Sequence, residues 1–246
     1  MRYFLEVSYL GTAYSGFQTQ HNANTIQAEV EKALKVFCKQ DIKITGSSRT
    51  DAGVHAFQNY FHFDFEDELS SAIIYNLNSL LPDDITIKEL KKVNKEAHCR
   101  FDAISREYKY FIYNTKNAFL RDRAFYYPYK LDLDSMKTAA SILKEYSDFT
   151  SFSKKHTQVK SFQCKIIQSE WEIEKELIVY KIKANRFLRG MVRALVGTML
   201  RLGRGKITVE DFRKIIEDHD CALASFGVPP QGLFLVSVEY PQGYFS

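Results

Sequence analysis

The residues most able to do chemistry in this chain lie together in Gly46-Ser47-Ser48-Arg49-Thr50-Asp51-Ala52-Gly53-Val54-His55-Ala56. One carboxylate, one guanidinium, one imidazole and three hydroxyls stand beside two glycines in that stretch. Asp51 has small neighbours, so another molecule can approach the backbone there closely. A carboxylate in such a place can act as a nucleophile, and Arg49 can hold a phosphate. An Asp ahead of Ala52-Gly53 also serves in ordinary turns, so residue types alone leave both readings open. A second group is basic. Between Arg186 and Lys206 stand Arg186, Arg189, Arg193, Arg201, Arg204 and Lys206 with no acid. Arg186, Arg189 and Arg193 recur at helical spacing, with Gly190 and Gly197 near the same face and Met191, Leu195, Met199 and Leu202 opposite. Such a helix admits a phosphate backbone, although a solvated face or a membrane-surface helix has the same pattern.

The elements that must position these groups follow from periodicity. Tyr3, Leu5, Val7 and Tyr9 alternate with Phe4, Glu6 and Ser8, which predicts a half-buried strand. After a polar loop with Gly11 and Gly16, Asn24 is expected to start a helix with Gln27 completing a capping box. Its buried face is Ile26, Val30, Ala33, Leu34 and Phe37. The Asp51 stretch then lies between strand-like segments, Ile42–Ile44 before it and Tyr60–Phe65 after it. Leu69 to Leu81 reads as a helix stopped by Pro82, and Ile85, Ile87 and Leu90 as a strand. Arg106 to Tyr113 is a strand with Tyr108, Tyr110 and Ile112 on one side. Ser135 to Tyr146 is a helix, Cys164–Glu174 and Leu177–Ala184 form a hairpin, and Thr208 with Asp211 caps a last helix. These elements predict an α+β fold with a largely antiparallel mixed sheet. The chain of 246 residues suits one large or two modest domains, and a cluster of polar residues without periodicity from Ala97 to Ser105 places the boundary between 1–104 and 105–246.

Composition excludes several classes. Hydrophobic residues at 45% and charged residues at 26% describe an ordinary globular chain, and a net charge of +4 alone demands no polyanionic partner. Cys38, Cys99, Cys164 and Cys221 are scattered, which predicts no disulfide framework and no metal site. No run approaches ~18 uninterrupted apolar residues, and the first residues lack a signal-peptide core, so no membrane association and a cytoplasmic location are expected. No dinucleotide or phosphate-loop glycine motif is present, and no cofactor is expected.

Arg49-Thr50-Asp51-Ala52-Gly53-Val54-His55-Ala56 resembles the signature loop of the TruA family of tRNA pseudouridine synthases. The resemblance extends over most of the chain. It takes in Tyr9 through Gln18, Ala97 through Ala103, Arg106-Glu107-Tyr108-Lys109-Tyr110, Asp148-Phe149-Thr150-Ser151-Phe152, Asn185 through Gly197, and Pro229-Pro230-Gln231-Gly232-Leu233-Phe234-Leu235. Three departures stand out: Ser48 replaces a Gly, Cys99 an Ala, and Phe57-Gln58-Asn59 the usual continuation of the loop. The resemblance implies two α/β subdomains of the pseudouridine synthase fold with a basic RNA-binding cleft between them. It implies Asp51 as the catalytic residue, Tyr108 reaching the target base and Arg193 pairing with the Asp. Leu235 would line the base pocket, while Arg49, Arg186 and Arg189 are expected at the nucleotide and its phosphates. The implied reaction isomerises uridine to pseudouridine at positions 38, 39 and 40 of the tRNA anticodon stem-loop, carried out by a homodimer. A non-catalytic RNA-binding protein on the same scaffold would keep the arginines and aromatics without needing Asp51.

Overall fold

A computed structural model of the chain describes residues 1–155 and 159–245. The chain forms two compact units, Met1–Ile104 with Phe234–Ser246, and Ser105–Leu233. The terminal segment from Phe234 thus belongs with the first unit and not with the residues that precede it. Each unit is an antiparallel sheet with helices, and the only parallel pairings described within the units are short.

In the first unit, β1 (Arg2–Tyr9) is flanked by β3 (His55–Asp64) and β4 (Ile85–Val93), both antiparallel to it. The short β2 (Thr45–Gly46) pairs with β3, and β9 (Leu233–Glu239) runs parallel to β3 through His55–Phe234 and Ala56–Leu235. Helices α1 (Ile26–Cys38) and α2 (Ile73–Leu80) supply Ile26, Val30, Leu34, Ile73 and Leu77 to the core. The cap of α1 is Thr25, whose hydroxyl accepts from the Ala28 amide, one residue later than the expected Asn24. Gln27 instead reaches the Ile44 carbonyl and Glu31. Strand β1 is also more buried than its alternation predicts. Tyr3 and Leu5 face one side and Phe4 the other, yet all three are excluded from solvent. Tyr240, Tyr244 and Phe245 close over Phe4 at ring separations of 5.8–6.0 Å, so the terminal segment covers the second face.

In the second unit, β5 (Ser105–Tyr113), β8 (Leu177–Ala184) and β7 (Ile166–Glu174) lie side by side in that order, antiparallel, and β6 (Phe125–Tyr126) lies parallel to β5. The expected β7–β8 hairpin turns at Lys175, which takes the left-handed conformation at φ 57°. Helix α3 (Leu133–Ile142) is capped by Asp132, which accepts from the amides of Asp134 and Ser135, and so begins before the expected Ser135. Helix α5 (Val209–Glu217) has the capping box read from Thr208 and Asp211.

Helix α4 (Met191–Gly203) corrects the reading of the basic stretch. It starts only after Gly190, whose φ of 75° breaks the chain away from the helix, so Arg186 and Arg189 lie in a preceding loop. Apart from Arg193 and Arg201 the whole helix is buried. Gly197 is packing and not an open approach for phosphate: a Cβ there would stand 2.2 Å from the Ser225 carbonyl oxygen.

Candidate active site

The loop carrying Asp51 connects β2 to β3 and is held by the polar segment after β1. The Asp51 carbonyl accepts from the Val54 amide at 3.1 Å, and Gly53 completes this turn at φ 75°. Gly53 in turn donates to the Tyr14 carbonyl, and the Phe17 amide donates to the Thr50 carbonyl at 3.0 Å. Gly11 donates to Nδ1 of His55 at 2.9 Å. Gly16 has to be glycine on two counts, φ of 97° and a would-be Cβ only 2.9 Å from the Thr50 carbonyl. The stretch Tyr9–Gln18, whose glycines could equally mark a plain connection, is therefore the cradle of the Asp51 loop.

Beneath the loop runs a buried polar chain. The Asn59 amide donates to the Ser48 carbonyl at 3.0 Å and to the Tyr9 hydroxyl at 3.1 Å, while Ser47 donates to its oxygen at 2.7 Å. Burial pushes the Tyr9 phenol up to about 12. It therefore keeps its proton, and the Tyr9 hydroxyl, accepting from Asn59, shares a hydrogen bond with Thr50 Oγ1 at 2.9 Å. The departure Phe57-Gln58-Asn59 thus leaves the loop anchored. Gln58 accepts from the Val238 amide, and Phe57 stacks on Phe234 at 4.8 Å. Replacing Asn59 by Ala strands buried groups that cost roughly 1–3 kcal/mol each. We expect Asn59→Ala to lower unfolding free energy by about 2–4 kcal/mol in urea titration. A change below about 1 kcal/mol would show that the chain under the loop does not hold it.

This scaffold decides which groups of the loop meet solvent. His55 is fully buried and its Nδ1 is engaged, so the imidazole is structural. Ser47, Ser48 and Thr50 are buried, Arg49 is exposed, and Asp51 is half-buried. The loop therefore presents a carboxylate and a guanidinium two positions apart on a rigid turn. Leu235 is fully buried opposite Ala56, the residue that follows His55.

The other candidate residues belong to the second unit. Tyr108, opposite Ile182 on β5, is half-buried, although Arg106, Tyr110 and Ile112 on the same side of the strand are buried. Its ring meets the edge of Phe187 at 5.0 Å and 85°, and Arg106 donates to the Asn185 carbonyl, so the loop before α4 is fixed against β5. Arg193 donates through Nε and Nη2 to the Val228 carbonyl at 2.9 and 2.7 Å. The Tyr110 hydroxyl donates to the next carbonyl, Pro229, at 2.7 Å. Arg186 and Arg189 gain a neighbour that their sequence spacing could not indicate. Lys154 donates its amide to the Arg189 carbonyl, and its side chain lies along Gly190. The structure also gathers His62, His98 and Cys99, which the scattered cysteines did not foretell because His62 is on β3 and the others follow β4.

A family model described as "tRNA pseudouridine synthase" matches residues 6–102 and 140–241. Among curated proteins, the "tRNA pseudouridine synthase A" of Bacteroides thetaiotaomicron is 47% identical over 249 residues, covering 100% of this chain and 93% of the relative. That of Bacteroides fragilis is 48% identical over 248 residues, covering 100% and 98%. That of Staphylococcus epidermidis is 37% identical over 241 residues, covering 97% and 90%.

Proposed function

The chain belongs to the tRNA pseudouridine synthase A family and converts uridine to pseudouridine in tRNA; on that premise we propose that Asp51 is its catalytic carboxylate and the anticodon stem-loop its target. The observation carrying this reading is the Asp51 loop itself: eleven consecutive residues held by Tyr9, Tyr14, Phe17 and Asn59, with only Asp51 and Arg49 offered as charged groups. The reaction breaks the bond from N1 to the sugar C1′, turns the base and rejoins it through C5. It needs neither a redox step nor a donor group. Attack at C1′ and stabilisation of a glycal intermediate both use one ionised carboxylate near the sugar, unlike glycosidases, which use two carboxyl groups.

In this reading Tyr108 stacks on the extruded base, Arg193 is the cationic partner of the catalytic carboxylate, and Leu235 supports the apolar wall of the base pocket. Arg49 holds the phosphate of the flipped nucleotide, and Arg186 and Arg189 contact the RNA backbone. The enzyme acts in the cytoplasm as a homodimer on positions 38, 39 and 40. Among the described residues no helix is long and apolar enough to cross a membrane. The deciding experiment incubates the protein with undermodified tRNA and maps pseudouridine. Product at those positions supports the assignment, and product only outside the anticodon arm overturns the proposed target. Sedimentation of the free protein tests the dimer.

The arginine contacts make a separate prediction. Replacing Arg186 or Arg189 by Ala is expected to weaken tRNA binding and to flatten the plot of log affinity against log salt by roughly 0.7–0.9 units per lost phosphate contact. An unchanged slope identifies that arginine as solvated and idle.

A further inference from the structure

A second group of ligating side chains lies in the first unit, away from the Asp51 loop. His62 is seven positions beyond His55 on β3, about 23 Å along an extended strand at roughly 3.3 Å per residue. Its Nδ1 stands 3.1 Å from Sγ of Cys99, and His98 meets the His62 ring edge-on at 4.7 Å. One ligand atom from each of the three residues falls within 4.8 Å of the others. We propose that His62, His98 and Cys99 bind a divalent ion of the zinc class, tying β3 to the turn that follows β4.

The donor set suits that class. One thiolate and two imidazoles favour zinc over magnesium or calcium, which prefer oxygen ligands. Zinc–sulfur and zinc–nitrogen bonds of about 2.3 and 2.0–2.1 Å put tetrahedral ligand atoms roughly 3.3–3.6 Å apart, so adjustments of about an ångström close the site. The surroundings are also suitable. Cys99 is fully buried, His62 nearly so, and His98 is half-buried, which leaves an entry path on one side. Phe4 stacks on His62 at 5.8 Å and Phe101 on His98 at 4.2 Å, giving an apolar wall. The charged groups facing His62 are Arg2, Asp64 and Asp102, and Arg2 is itself paired with Asp64 at 2.7 Å. Asp102 is held by the His98 amide and the Tyr244 hydroxyl, so the turn bearing two of the ligands is braced by the terminal segment.

Loading exchanges bonds that already exist. The Cys99 thiol, which donates to the Thr45 carbonyl at 3.1 Å, loses its proton to solvent as the sulfur–metal bond forms, one proton per ion. His62 Nδ1 turns its lone pair from the Cys99 amide, 3.3 Å away, to the ion. His98 now accepts from the amides of Arg100 and Phe101 at 3.1 and 3.3 Å. Both residues are exposed, so water can replace the ring when it turns to the ion. Three protein ligands leave a fourth position for water. The site lies apart from Asp51, and its contribution is to stability, since a ligand that binds only the folded chain raises its unfolding free energy.

The experiment uses the full-length protein stripped with chelator and titrated with zinc by calorimetry, and with cobalt by absorption. We expect one zinc per chain, a cobalt spectrum with a thiolate charge-transfer band, and a higher Tm with zinc. Cys99→Ala, a small-for-small change, is expected to abolish the band and weaken zinc binding by at least about 100-fold, the upper end of what outer-shell changes cost. Cys38, Cys164 and Cys221 remain in that variant, so a band that persists belongs to them and overturns the proposal. Binding of less than one zinc per chain at micromolar zinc overturns it too. If Cys99→Ala does not fold, His98→Gln at the half-exposed position is expected to weaken zinc binding by at least about tenfold while the thiolate band of Cys99 can persist, and unchanged zinc affinity in that variant overturns the proposal. Neither outcome bears on pseudouridine formation, so the proposal stands or falls apart from the assigned function.

Discussion

Asp51→Asn is expected to reduce pseudouridine formation by at least about 1,000-fold while tRNA affinity changes little, equivalent to about 4 kcal/mol of lost transition-state stabilisation. The substitution keeps the shape of the side chain and removes its charge. The bonds that hold the loop pass through backbone at Asp51, Gly53 and Tyr14 and through the side chains of Tyr9, Thr50 and Asn59, so the turn should survive. Arg49, Arg186 and Arg189 also remain to engage the RNA. A loss confined to turnover therefore separates the catalytic reading from one in which this scaffold only binds RNA, because a binding protein has no use for the carboxylate. The measurement is single-turnover pseudouridine formation beside equilibrium tRNA binding, with Tm as a check on folding. A purified Asp51→Asn protein that turns over within tenfold of the parent removes Asp51 from the chemistry.

The parts of this molecule that could be read from sequence are those governed by local rules. The capping box at Thr208 and Asp211 and the hairpin at Lys175 depend on residues a few positions apart, and both formed as expected. The Asp51 loop stood out through its resemblance to a family signature, since its residue types alone fit an ordinary turn as well. What could not be read was decided by distant contacts. The spacing of Arg186, Arg189 and Arg193 imitates one helical face, but Gly190 interrupts it, and α4 is buried on nearly all sides because neighbouring segments pack around it. Phe4 falls on the nominally outer face of β1, and only the returning Tyr240, Tyr244 and Phe245 explain its burial. Asn59 looked like a departure from a motif. Its role appears only when β1 and β3 are paired and Tyr9 comes within reach. Lys154 joins the arginine loop in the same way, through a contact across many residues of sequence.

Tyr108 can be asked whether its ring or its hydroxyl does the work, and the two answers lead to different variants. It is half-buried on a strand face that is otherwise buried, and Phe187 meets its ring edge-on at 5.0 Å. Extruding a uridine from its stack costs a few kcal/mol, and stacking on an aromatic ring offsets roughly 1–3 kcal/mol of it. The chemistry sets a second demand, since the base rejoined through C5 must lose the proton from that carbon. The hydroxyl can take that proton only as a relay, passing its own proton to water as it accepts the one from C5, and the proton on the rearranged ring is already acidic and asks little of its acceptor. We therefore expect Tyr108→Phe to bind tRNA nearly as well as the parent and to slow single turnover by at least about 100-fold, the scale of general base catalysis. Tyr108→Leu should lose turnover and also roughly 1–3 kcal/mol of affinity, because it removes the stacking face as well. Single-turnover rate and tRNA affinity measured on both variants decide the matter. Near-normal turnover in Tyr108→Phe leaves stacking as the sole function of the ring, and unchanged affinity in Tyr108→Leu removes stacking instead.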